Sequence, residues 1–208
     1  MYHTVIHSAS IPVTTYIEQY RDAEKFIRFC KECNRYDRCW ACPPFDFDTT
    51  EYLIGYDNAY IIGIKIILDD ETRQQPDMET SKIIARQIIE EVRAKVDKRL
   101  LTLEKSYPGS KSFFAGTCIN CPPETCTRIK GAPCIHPDKI RYSLEAMGFD
   151  IGKTASELLQ TELKWSTTPL LPEYFTLVSG FFTNYKIDDF SSGIDFQTSR
   201  LYPFQKGL

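Results

Sequence analysis

The sequence predicts an α+β fold in which a small mixed sheet is packed by one long helix and carries two cysteine-rich loops. Three observations lead there. From Ala59 to Leu68 the run AYIIGIKIIL is β-branched and nearly continuous, the pattern of a strand buried on both faces. From Glu79 to Lys105, Ile84, Ile88, Val92, Val96, Leu100 and Leu103 recur every three or four positions, as on a helix with one apolar stripe. All eight cysteines fall into two groups, at 30–42 and 118–134.

The elements follow in chain order. Ile17, Tyr20, Phe26 and Ile27 lie near helical spacing, so Thr15–Phe29 is read as a helix that delivers Cys30. The run at 59–68 is the central strand. The helix at 79–105 has Glu91 one turn before Lys95 and ends at Pro108 and Gly109. At 1.5 Å per residue it spans about 40 Å, enough to cover a sheet face. KSFFAG at 111–116 is a short strand with the second cysteine group at its end. Pro137–Met147 is predicted as a helix closed by Gly148, and Thr154 with Glu157 as the capping box of a short helix through Leu159. Pro172–Thr183, containing YFTLVSGFF, is a second buried strand. From Asp188 onward Ser, Gly, Asp and isolated aromatics predict a tail that wraps the surface.

A hydrophobic fraction of 42% supports a core, read as one domain over residues 1–208 holding both cysteine groups. A net charge of -3 lacks the basic excess that nucleic acid or an anionic membrane calls for, so neither is expected as a partner. The first residues carry no basic stretch followed by an apolar one, and no apolar run approaches the roughly 20 residues needed to span a bilayer. The expectation is a cytoplasmic protein. In that compartment thiols stay reduced, and eight regularly spaced cysteines point to metal rather than to disulfides.

The first group is Cys30-x2-Cys33-x5-Cys39-x2-Cys42, and the second is Cys118-x2-Cys121-x4-Cys126-x7-Cys134. A Cys-x2-Cys pair brings two thiolates to one metal centre while the intervening amides turn toward the sulfurs. Taken sequentially, each quartet is one four-thiolate site. An alternative lets Cys42, which precedes proline, cross to the other site, as the cysteine before proline does in two-cluster ferredoxins.

Zinc and iron-sulfur both suit four thiolates. Pro43 and Pro44 follow Cys42, Pro122 and Pro123 follow Cys121, and Pro133 precedes Cys134, which resembles the Cys-Pro end of ferredoxin motifs. Neither quartet has the glycine that tightens a zinc-ribbon turn. Arg28, Lys31, Arg35 and Arg38 around the first group, with Arg128 and Lys130 in the second, offset the negative charge of a thiolate-bound cluster. The reading therefore favours two 4Fe-4S clusters, with zinc as the alternative cofactor.

The same residues resemble a family of predicted metal-binding proteins with two cysteine-rich motifs, common in anaerobic bacteria and archaea. The likeness rests on Cys39-Trp40-Ala41-Cys42-Pro43-Pro44-Phe45, on Gly116 to Cys121, on Pro133-Cys134 and Pro137, and on Ser143 to Gly148. Ile135 stands where the family pattern has a basic residue. The resemblance implies metal binding, of iron-sulfur type, and no particular reaction.

Other residues carry weaker signals. His136, two residues past Cys134, is a ligand or hydrogen-bond donor in one reading and an ordinary loop histidine in the favoured one. Trp40 shields a cluster or simply packs. Arg141, Ser143 and Glu145 line a surface beside the second group or serve helix capping. Asp69, Asp70 and Glu71 form an acidic turn best read as solvated, and His3 and His7 have no partners in sequence. The function expected is electron transfer with a protein redox partner. A zinc module that staples loops for protein binding is the alternative, and complete sets of four cysteines argue against an enzyme with an open iron.

Overall fold

The computed structural model describes residues 1–194 apart from Pro123 and Thr167. Its spine is β2 (Asn58–Leu68), flanked by β1 (Tyr2–Pro12) and β4 (Tyr174–Thr183), with β3 (Lys111–Phe113) on the far side of β4. Every pairing is antiparallel, and Ile62 lies opposite both Ser8 and Ser179. β2 is the central strand that its continuous apolar run predicts.

Alternation along β2 splits its side chains between two cores. Tyr60, Ile62, Ile64, Ile66 and Leu68 pack with Ile88, Val92, Val96, Leu100 and Leu103 of α5 (Met78–Ser106). The Asp77 side chain caps that helix, accepting from the Glu79 and Thr80 amides at 2.9 and 2.8 Å. Ala59 and Ile61 point the other way, to a layer built by α1 (Val13–Tyr20), α3 (Thr49–Ile54) and residues 144–159, with Tyr16, Leu53, Leu144 and Phe149 fully buried. Each Leu or Ile side chain withdrawn from water contributes about 2 kcal/mol. Gly63 and Gly180 let this second layer approach closely, since an added Cβ would lie 2.8 Å from a Leu159 methyl and 3.2 Å from a Leu144 methyl.

Several expectations need correction. The helix expected over Thr15–Phe29 is two, α1 and α2 (Ala23–Glu32), because Arg21 turns extended and bridges to Phe149. Its guanidinium donates to Met147 O at 2.7 Å and to the Thr49 and Thr50 hydroxyls at 2.7 and 3.0 Å, so the break is a built junction. No helix forms over Pro137–Met147. There the Phe114 amide takes Tyr142 O at 2.9 Å, and the chain then folds into tight turns ending at Gly148, φ +89°. The capping residue of the next helix, α6 (Ile151–Lys153), is Asp150, accepting from the Lys153 amide at 2.9 Å, and not Thr154. Thr154 sits inside the following turn, donating to Asp150 O at 2.7 Å and meeting the Tyr16 hydroxyl at 3.0 Å. β1 is an addition: its side chains alternate between half-buried and exposed, with His3, Val5, Ser8 and Ser10 outward, and offer no apolar run.

The acidic turn at 69–71 opens α4 (Asp70–Arg73), with Asp69 accepting from the Thr72 amide at 2.8 Å and pairing with the N-terminal amine at 2.9 Å. At the far end α7 (Phe190–Ile194) buries Phe190 and Ile194 in the α5 core, while the rest of the predicted surface tail lies outside the described residues. No helix among the described residues is long and apolar enough to cross a membrane.

Candidate metal centre

Both cysteine groups hang from this frame. α2, capped by Asp22 through the Lys25 amide at 2.9 Å, carries Cys30 in its last turn, and Cys33 ends it with its amide on Cys30 O at 3.0 Å. Tight turns follow, closing with the Cys42 amide on Cys39 O at 2.9 Å. Phe45 and Phe47 then stack at 5.1 Å and meet the Tyr142 ring at 4.8 and 5.4 Å, which anchors the loop in the second core. The second group begins where β3 leaves the sheet: Phe113, Phe114 and Ala115 are buried, and Gly116, φ +66°, turns the chain outward. A short 3-10 turn, Thr127–Lys130, ends at Gly131, φ +65°, before Cys134.

All eight cysteines are free thiols. Cys39, Cys118, Cys121, Cys126 and Cys134 line one small cavity of about 20 Å³, together with Trp40, Arg35 and Ile140. Cys39, only 3% exposed, thus faces the second group across the seam between the loops. Hydrogen bonds from Cys118 and then Cys42 hold the Cys39 thiol well below its usual range, and the same contacts with Cys39 push Cys42 and Cys118 up. Burial, then Cys126, Cys134 and Cys39, raise Cys121. Burial, then Cys33 and Glu145, raise Cys30. Cys30 and Cys33 sit at the end of α2 and do not line the cavity, and Cys33 is exposed. Among the described residues no group of three or more His, Cys, Asp or Glu side chains is arranged to hold a single metal ion.

Donors converge on the sulfurs. The Asn120 side-chain amide donates to Cys118 Sγ at 3.4 Å, and the Thr117 hydroxyl lies 3.5 Å from Cys42 Sγ and 3.7 Å from Cys39 Sγ. It is the backbone amide of His136 that reaches a thiol, donating to Cys134 Sγ at 3.4 Å. Such bonds stabilise thiolate and favour bound metal over bound proton. A donor set of soft thiols alone suits zinc or an iron-sulfur cluster and disfavours magnesium or calcium.

Two residues with modest sequence signals join the loops. Arg128, one of the basic residues expected to balance cluster charge, reaches across to the first loop. Its guanidinium donates to Cys39 O at 3.1 Å, to Cys42 O and Pro44 O at 2.6 Å, and to the Asp37 carboxylate at 3.0 Å. Trp40 donates its indole N–H to Ala132 O at 3.0 Å and lies under the Arg128 guanidinium at 5.2 Å. From α5, Arg93 fixes the start of the second loop by donating to Thr117 O at 2.7 Å. Nothing in the periodicity of α5 marks Arg93 for this role, because it falls on the buried stripe where an apolar residue is the rule. Arg141 is committed to a buried pair with Glu104, Ser143 Oγ accepts from the Ala146 amide at 3.2 Å, and burial pushes the Glu145 carboxyl up.

An α+β frame that brings free thiols from two loops to one cavity defines a thiol-rich protein of metal-binding character. Residues 16–179 match the family described as predicted metal-binding protein (DUF2284), and the chain belongs to it. Neither the curated proteins nor the solved structures returned a match.

Proposed function

We propose that Cys30, Cys33, Cys39, Cys42, Cys118, Cys121, Cys126 and Cys134 hold two 4Fe-4S clusters and that the protein passes electrons to or from a partner protein. The observation that carries this reading is the gathering of Cys39 with all four cysteines of the second group around one cavity. Thiolates of an iron-sulfur centre each ligate a different iron, so they surround a volume instead of meeting at a point. Cys39, at the seam, would leave the two centres adjacent. When bound, such clusters supply one-electron transfer.

The protein's own groups set the conditions for it. N–H and O–H donors from Thr117, Asn120 and His136 point at sulfur and favour the more negative, reduced form. Phe29, Ile129 and Ile135 are 59%, 39% and 63% exposed and lie close in sequence to Cys30, Cys126 and Cys134, apolar side chains that a docking partner could cover. Eight free thiols fit a reducing compartment, the cytoplasm.

The test is iron, zinc and acid-labile sulfide per chain on anaerobically purified protein, with its visible spectrum. About eight iron and eight sulfide, with colour bleached reversibly by dithionite, is the expected result. About two zinc without sulfide overturns it in favour of a structural zinc module.

A further inference from the structure

A second cavity of about 420 Å³, which shares Cys118 and Asn120 with the thiol cavity, lies between the C-terminal half of α5 and residues 114–141. Its size falls within the range of small-molecule sites. The apolar part of the wall is Ala94, Leu101, Phe114 and Ile119, and Cys118 itself is part of the lining. The polar part is one-sided in charge: Lys98, Lys105 and Lys139 face it along with Arg141, against Asp97 alone.

The charges divide by what they already hold. Arg141 is matched by Glu104. None of the three lysines forms an ion pair among the described residues. Three cations on one rim give a field that draws an anion out of water. Asp97 approaches Arg93 through Oδ2 at 3.7 Å, while its Oδ1 is buried with no hydrogen-bond partner. Buried orphan acceptors are rare in native proteins, and an N–H or O–H from a ligand removes the penalty.

We infer that this cavity binds a small carboxylate that carries a hydroxyl or amino donor and an apolar body. The carboxylate meets Lys98, Lys105 and Lys139, the donor satisfies Asp97, and the body packs on Leu101, Phe114 and Ile119. A phosphate-only ligand leaves the apolar wall uncovered, and a purely apolar one leaves the lysines and Asp97 unused. Cys118 in the wall sets the bound molecule beside the metal centre proposed above. Occupancy of the cavity does not rest on that proposal and is measured separately from it.

The test is titration calorimetry on the full chain as purified, at low salt, with 3-phenyllactate as the probe. Saturable binding of one phenyllactate per chain is expected. 3-Phenylpropionate, which lacks the donor, and 3-phenyl-1,2-propanediol, which lacks the carboxylate, should each bind at least tenfold more weakly. The triple variant Lys98→Met, Lys105→Met, Lys139→Met alters only exposed side chains and should weaken phenyllactate at least tenfold, whereas Lys82→Met, remote from the cavity, should not. Absence of saturable binding, or equal affinity of the triple variant and the unaltered chain, overturns the inference. Equal affinity for phenylpropionate overturns the role of Asp97 and with it the ligand class.

Discussion

Replacing Arg128 by methionine tests the claim that the two cysteine loops form one unit. Methionine keeps the length of the stem and removes three hydrogen bonds to Cys39 O, Cys42 O and Pro44 O, along with the contact to Asp37. A hydrogen bond from a charged donor is worth about 1.5–3 kcal/mol, but these carbonyls regain some water when the guanidinium leaves, so about 1 kcal/mol each is the better figure. The Asp37 side chain is 66% exposed, and that pair adds well under 1 kcal/mol. Loss of the cation over Trp40 adds about 0.5 kcal/mol. The sum is roughly 3–4 kcal/mol. With a urea slope of about 2–3 kcal/mol/M, the unfolding midpoint should fall by more than about 1 M. Alkylation of Cys39 by iodoacetamide should accelerate at the same time, because the backbone turn that buries it loses its brace. Arg128→Lys should recover less than half of the loss, since an ammonium cannot span the fork of carbonyls. A midpoint within about 0.2 M of the unaltered protein, with Cys39 still protected, would refute the bracing role.

Three further outcomes follow from the packing. Gly148→Ala places a Cβ 2.7 Å from Ala23 Cα at φ +89°, and should cost about 2–3 kcal/mol, whereas Gly109→Ala, with open space around it, should cost only about 1 kcal/mol; differential scanning calorimetry separates them. Glu104→Ala leaves Arg141 and the Ser112 amide without their acceptor in a site where both charged side chains are nearly buried, and should destabilise by about 3 kcal/mol in urea unfolding. Burial, partly opposed by Arg93, pushes the Asp97 carboxyl up to about 7, so the folded chain keeps a proton that the unfolded chain releases near its usual value of 3.8. The resulting stability is full below about pH 4 and is lost as pH rises through 7, by at most about 4 kcal/mol. Unfolding free energies at pH 5 and pH 8 should differ in that sense, and the difference should shrink in Asp97→Asn.

Much of the frame is visible in the sequence because its signals are local. The Val and Ile periodicity of α5 and the largely apolar runs of β2 and β4 each follow from a surface that one element must bury. β1 escapes because an edge strand covered on one side needs no apolar run, and His3, Ser8 and Ser10 occupy exposed positions along it. The segment 137–147 reads as a helix by composition, but Tyr142 O is claimed by Phe114 and Leu144 is drawn against Gly180 of the sheet, contacts that no window of neighbouring residues contains. At the site, the cysteines announce themselves by spacing. Their meeting across the loops does not, because it depends on Arg128, Trp40 and Arg93 reaching residues about 90, 90 and 25 positions away.

The place of β4 in the sheet bears on how the chain is made. Among the described residues β3, from which the second cysteine loop departs, touches the rest of the sheet only through β4, and β4 is the last of the four strands to be synthesised. Some 50 residues separate Cys134 from Thr183, so at about 5–20 residues per second the finished set of eight thiols waits for several seconds before the sheet can hold its two loops together. During that interval β1 and β2 can pair, but β3 and the cysteine loop that leaves it have no strand to join. A chain cut short at residue 173 would keep the Arg128 and Trp40 contacts between the loops but would leave β3, the root of the second loop, without its partner strand.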